Sequence, residues 1–194
     1  MNQFNFPTTI LHGEGALKEL SKRIPWKKLM LVTDAGLTKT GVVDQALAIL
    51  NNKGCEFAVY DEVHSNPIEE DVERGTTFFK KQNCEGLLAL GGGSAMDVSK
   101  AIRFMAVLPA PLEQYSIVNG GSSCIEGSLP PLYAVPTTAG TGSEVGRGAV
   151  ITLRETGRKT LFVAPPLMPN IAALEPALTV SLPPHLTAAT GIDA

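Results

Sequence analysis

Along the chain, short continuous apolar runs alternate with stretches of helical period. Residues 29–33 (LMLVT) form a run without alternation, as a parallel strand covered on both faces requires. Asp34, Ala35 and Gly36 follow as a turn. Val43, Ala46, Leu47 and Leu50 then recur at the i, i+3, i+4, i+7 spacing of a helix face, with Gly54 where that helix stops. Residues 56–60 (EFAVY) predict the next strand. Pro67 opens a second helix whose first turn holds Glu69, Glu70 and Asp71, acids placed where the helix dipole favours them. Residues 86–90 (GLLAL) predict a third strand, followed by a glycine run and a helix marked by Val98, Ala101, Ile102 and Met105. Residues 132–135 (LYAV) form a fourth strand, 150–153 and 160–163 a β-hairpin around a polar stretch, and 171–174 a last short strand. The prediction is an α/β fold: a doubly wound, mainly parallel sheet with an added hairpin and a ligand site outside the carboxyl ends of the strands.

Pro176, Pro183 and Pro184 then punctuate the chain, and LTAATGIDA from Leu186 turns helical with too few residues to bury a face. A boundary is expected near residue 178, with residues 1–178 as one domain and 179–194 as a linker and the truncated start of a second.

Composition narrows the function classes. The 194 residues are 44% hydrophobic, which provides a substantial core and excludes disorder. A net charge of −3 offers no basic field for nucleic acid or an anionic membrane. No apolar run approaches the roughly 20 residues that span a bilayer, and no signal peptide is evident. Cys55, Cys84 and Cys124 form no CxxC, so a reducing compartment and a soluble, cytoplasmic protein are expected. Of 19 glycines, 11 fall between Gly86 and Gly148, marking loops where backbone turns sharply or approaches a ligand.

Two of those loops carry the candidate chemistry. A strand runs into Gly91-Gly92-Gly93-Ser94 and then into a helix containing Asp97 and Lys100. Backbone N–H groups at such a turn form an anion cradle, although the same turn also serves as a plain strand-to-helix connection. It is neither a Walker loop nor GxGxxG. The second loop, Pro136 to Glu144, holds Thr137, Thr138, Thr141 and Ser143 past a strand end. It reads either as a nucleotide contact or as a turn in which Ser143 and Glu144 cap a following helix. Asp34 suits a ribose contact, or a simple turn. His12, His64 and His185 are read as solvent or capping residues, and the cysteines as inert.

In order and spacing, TDAGL at 33–37, SNP at 65–67, GGGSAMDVSKAI at 91–102, PTTAGTGSEV at 136–145 and LTAATGIDA at 186–194 resemble the iron-containing (group III) alcohol dehydrogenases. The resemblance implies a Rossmann-like dinucleotide-binding domain followed by an all-helical domain, with NAD and a divalent metal, iron or zinc, between them. It assigns Asp34 to the adenosine ribose, Gly92, Gly93, Ser94 and Asp97 to the pyrophosphate loop, and Asn66 to a turn beside the cofactor. Thr137, Thr138 and Thr141 hold the nucleotide, Lys159 reaches the nicotinamide ribose, and Leu178 and Leu182 line the cofactor site. Asp193 corresponds to the first metal ligand, the others being three histidines that follow it. Glu175 stands where the family has Asp before Pro, and Arg147 replaces a smaller residue.

The resulting expectation is the NAD-binding half of an alcohol dehydrogenase, acting on an alcohol or aldehyde, homo-oligomeric, and incapable of turnover alone because one carboxylate does not hold a catalytic metal. No catalytic residue is assigned within it. The alternatives are a fragment of a dehydroquinate-synthase-like lyase and a non-catalytic nucleotide-binding or interaction module.

Overall fold

The computed structural model describes residues 7–50 and 54–194. Among these, eight strands are present: β1 (Thr9–His12), β2 (Lys28–Val32), β3 (Glu56–Tyr60), β4 (Gly86–Gly91), β5 (Leu132–Pro136), β6 (Gly148–Thr152), β7 (Lys159–Val163) and β8 (Ile171–Leu174). The helices are α1 (Ala16–Arg23), α2 (Ala35–Lys39), α3 (Val42–Leu50), α4 (Glu69–Lys81), α5 (Gly93–Met105) and α6 (Pro184–Asp193). Six strands pair in parallel in the order β1-β8-β5-β4-β2-β3, while β6 and β7 form a separate antiparallel hairpin. This is the doubly wound architecture that the sequence predicts.

Side-chain alternation explains the two layers. Met30 and Val32 of β2 point into one apolar cluster with Val72 and Phe79 of α4 and Val98, Ala101 and Ile102 of α5. Leu29 and Leu31 point the other way, to Leu17 and Leu20 of α1 and Val43 and Ala46 of α3. Strands β4 and β5 are buried along their whole length. With helices on both faces every position must be apolar, which is why these strands read as unbroken runs.

The structure departs from the prediction at identifiable places. Strand β1 and helix α1 have no counterpart in the predicted order. Asp34 begins α2 instead of a plain turn: its Oδ1 accepts from the Gly36 and Leu37 amides at 2.8 and 3.1 Å. Helix α4 starts at Glu69, two residues beyond Pro67. The hairpin strands begin at Gly148 and Lys159, earlier than their apolar cores. No helix follows the Thr-rich loop before β6, which overturns the helix-capping alternative for Ser143 and Glu144. Among the described residues, no helix is long and apolar enough to cross a membrane.

Two buried charges organise the fold. Glu175, 4% exposed, lies just after β8 and accepts from the amides of Gly15 and Leu17 at 2.9 and 3.2 Å through Oε2. It therefore caps α1 from a position 160 residues away in the sequence. Glu175→Ala leaves those amides unpaired and is expected to cost about 1–3 kcal/mol, read as a lower midpoint in urea unfolding. On the opposite layer Arg103, 5% exposed, donates to the carbonyls of Pro130, Pro166 and Met168 and to Asn170 Oδ1. It ties the segments before β5 and β8 to α5.

Candidate cofactor site

The two loops singled out in the sequence meet at the carboxyl ends of β4 and β5. The Thr137 amide donates to the Gly91 carbonyl at 3.0 Å, which joins the loops at their start. Gly91 has φ +151, a left-handed conformation in which a side chain is strained. A Cβ on Gly92 would lie 3.2 Å from Thr138 Oγ1, and one on Gly93 3.2 Å from Thr141 Cγ2. The missing side chains thus leave a cradle floored by backbone at the start of α5, where the first helical N–H groups lack intrahelical acceptors.

Beyond the cradle lies a cleft of about 440 Å³, roofed by the hairpin. Asn66, Gly93, Ser94, Asp97, Thr141 and Lys159 all line it. Ser94 Oγ donates to the Ser65 carbonyl at 2.8 Å and Lys159 Nζ donates to Asn66 Oδ1 at 2.9 Å, so the 65–67 turn is stitched to both α5 and β7. Gly92 and Thr138 face each other at the edge, and Thr137 is buried behind them. Asp34 is not among the lining residues; its Oδ2 lies 4.0 Å from where a Gly91 Cβ would be, on the β2 side of the glycine turn. Leu178 is buried in the α1/α3 apolar cluster and Leu182 is half-buried. Asp193 is exposed at the end of α6, yet its Oδ2 would lie 3.3 Å from a Cβ on Gly140, which places it against the Thr-rich loop.

On the floor of the cleft Asp97, Lys100 and Ser143, which the sequence shows only as separate residues of the two motifs, join in one polar network. Lys100 is completely buried. Its Nζ donates to Ser143 Oγ at 2.8 Å and to the Gly148 carbonyl at 2.7 Å. Ser143 Oγ in turn donates to Asp97 Oδ1 at 2.7 Å, while the Val150 amide donates to Asp97 Oδ2 at 3.0 Å. Nζ and Oδ1 are 4.0 Å apart. Burial is the largest influence on both groups: it pushes the Asp97 carboxyl up, and lowers the Lys100 ammonium to about 8 despite the nearby carboxylates of Asp97 and Glu144. The i, i+3 spacing of Asp97 and Lys100 was the one signal available, and on a helix it reads equally as a solvated pair.

A second network braces the cleft from α4. Asp71, fully buried, accepts from the amides of His64 and Ile68 and pairs with His64 Nδ1 at 2.7 Å. His64 is exposed, in line with the solvent reading of it, and its ring also fastens the 64–68 turn to α4. Arg154, beyond β6, reaches Glu70 and Glu73 of α4 at 2.5 and 2.6 Å, which pins the hairpin tip. Among the described residues, no three His, Cys, Asp or Glu side chains come together to hold a metal ion. Asp193 alone does not fit a divalent cation. The three thiols are unpaired, and burial pushes Cys84 up to about 11, so it is a poor nucleophile.

Comparison with known proteins adds identity to this geometry. A family model described as iron-containing alcohol dehydrogenase matches residues 7–176. Choline dehydrogenase of Bacillus subtilis (strain 168) is 42% identical over 194 residues, covering 98% of this chain and 48% of the relative. The crystal structure of a 1,3-propanediol oxidoreductase superposes with a TM-score of 0.91 at 37% identity, covering 99% of this chain and 50% of that one. A sulfoacetaldehyde reductase from Bifidobacterium kashiwanohense, solved in complex with NAD+, gives 0.85 at 31% identity, covering 100% and 51%. The chain spans about half the length of the curated relatives it matches.

Proposed function

The chain belongs to the iron-containing alcohol dehydrogenase family, and on that premise we propose that it is the NAD-binding portion of an alcohol dehydrogenase. The observation that carries the reading is the cradle of Gly92 and Gly93 against Thr138 and Thr141, a space that a Cβ would fill and a diphosphate suits. The α5 amides and Ser94 bind the diphosphate, with Thr137, Thr138 and Thr141 holding the nucleotide from the facing loop. Asp34 accepts from the adenosine ribose on the β2 side of the turn. Asn66 and Lys159 orient the nicotinamide ribose across the cleft, beside Asp97, and Leu178 and Leu182 back the cofactor where the chain turns toward α6. When bound, NAD supplies a hydride acceptor for an alcohol or donates a hydride to an aldehyde as NADH.

We assign residues 1–178 to the cofactor domain and 179–194 to the start of a helical one. Asp193 is proposed as one ligand of an iron or zinc ion whose other ligands are not among the described residues. The chain by itself is expected to turn over little or no alcohol. Exposed Val180, Leu186 and Ile192 form an apolar surface around α6 that suits packing against further protein, including a second copy in a homo-oligomer.

Titration of the purified 194-residue chain with NADH and NADPH tests the reading. Saturable binding of NADH, with NADPH weaker because the Asp34 carboxylate repels a 2′-phosphate, is the expected result. No binding of either nucleotide would favour a non-catalytic module instead, and equal binding would remove the role given to Asp34.

A further inference from the structure

Asp97 places a carboxylate on the floor of the cleft, one turn into α5 beyond Gly93 and Ser94, which line the same cleft. A negative charge there opposes the binding of any anion in the cleft. Both of its oxygens already accept hydrogen bonds, from Ser143 Oγ and the Val150 amide, but those donors are neutral and leave the charge in place. The cation that answers it is Lys100, whose ammonium lies beneath the floor at 0% exposure. No ligand in the cleft can touch it, and its ammonium donates to Ser143 Oγ and the Gly148 carbonyl.

We propose that Lys100 is the counter-charge that allows this cleft to take a diphosphate: it neutralises Asp97 through Ser143 and, by the same ammonium, fixes the base of the hairpin at Gly148. Lys100 is thereby a positioning and electrostatic residue, not a contact residue. The inference rests on the NAD reading of the cleft. Glu144, from the loop after β5, is the other charge that bears on Lys100, and Lys159 of β7 lines the cleft together with Asp97. Neither substitutes for it. Glu144 adds negative charge, and Lys159 is exposed and spends its ammonium on Asn66. Arg103, one turn further along α5, faces away toward the carbonyls of Pro130, Pro166 and Met168.

The arrangement makes anion binding depend on pH. Burial holds Lys100 at about 8, so the floor is a neutral pair below that value and a lone carboxylate above it. Affinity for a diphosphate should therefore fall as pH rises from 7 to 9, a range in which the charge of NADH itself is constant.

The test is a titration of the wild-type chain, Lys100→Met and the double variant Asp97→Asn/Lys100→Met with NADH, and with adenosine as a probe that lacks phosphates. Thermal melts check that each variant folds. Lys100→Met is expected to weaken NADH binding on the order of tenfold to a hundredfold, the scale of one unopposed charge at a partly buried site, with adenosine unaffected. The double variant, which removes both charges, should bind NADH more tightly than Lys100→Met and show no pH dependence between 7 and 9. If Lys100→Met does not fold, the wild-type pH titration with both probes decides the matter. Lys100→Met that keeps its NADH affinity, loses NADH and adenosine equally, or is not rescued by Asp97→Asn overturns the proposal, as does a flat wild-type pH profile. A wild-type chain that binds no NADH overturns the NAD reading as well, an outcome distinct from all of these.

Discussion

Arg103→Met should destabilise the domain by about 3–5 kcal/mol, one of the largest losses available from a single side chain here. The guanidinium spends its N–H groups on three main-chain carbonyls and the Asn170 amide oxygen, at distances from 2.5 to 3.1 Å. Those acceptors belong to segments that carry little regular structure of their own, around Pro130 and between Pro166 and Asn170. Methionine fills similar volume but donates nothing, so several buried acceptors lose their partner together. Lysine retains a charge yet has no planar fork to span four acceptors, and should recover only part of the loss. Urea unfolding followed by circular dichroism measures both. A change below about 1 kcal/mol for the methionine variant would mean that the carbonyls find other donors. Since Arg103 faces away from the cleft, nucleotide affinity at low temperature should stay close to wild type.

Gly93→Val should produce the converse result, loss of nucleotide binding with the fold intact. The backbone at Gly93 is ordinary helix start, so valine meets no φ penalty. Its Cβ, however, would sit 3.2 Å from Thr141 Cγ2, and its methyl groups have only Thr141 or the cradle to enter. Overpacking of this kind typically costs 1–3 kcal/mol. Charged against binding, that is on the order of tenfold to a hundredfold in affinity for NADH. Gly93→Ala should fall between the two, because Thr141 need shift by only a few tenths of an ångström. Fluorescence titration alongside a thermal melt separates the effects: a large drop in melting temperature for Gly93→Val would show that the turn is needed for folding more than for the ligand.

Much of this molecule was legible in its sequence because the sheet is covered on both faces. Burial on two sides forces runs such as Leu87 to Leu90, and the loops at their carboxyl ends announce themselves by glycine and threonine. What escaped did so for physical reasons. Strand β1 is an edge strand whose residues are largely exposed, so nothing obliges it to be apolar. Helix α1 has eight residues and takes its cap from Glu175, far along the chain. Helix α2 buries no residue, and so leaves no periodic trace. Around the cleft, Asn66, Gly93, Ser94, Asp97, Thr141 and Lys159 come together from motifs that the sequence displays. Lys100 does not stand out, because a lysine on a helix ordinarily faces water. Its partners, Ser143 in the Thr-rich loop and Gly148 at the start of the hairpin, lie 43 and 48 residues downstream. Asp71 likewise reads as a first-turn acid until His64 folds back onto it.

Strand β1 pairs with β8 alone among the described strands, Thr9 opposite Ile171, and the cap of α1 comes from the residue that follows β8. During synthesis at about 5–20 residues per second, the segment carrying β1 and α1 therefore waits roughly 10–30 s before its sheet neighbour and its cap exist. Through that interval Leu17 and Leu20 lack their native cover from the β8 side, and they invite a holding chaperone or a premature contact with another nascent chain. The central strands β2, β4 and β5 pair with one another across shorter stretches of chain. The order in which the chain leaves the ribosome thus favours a domain whose central strands pair early, with the hairpin, β8 and the β1 edge added last.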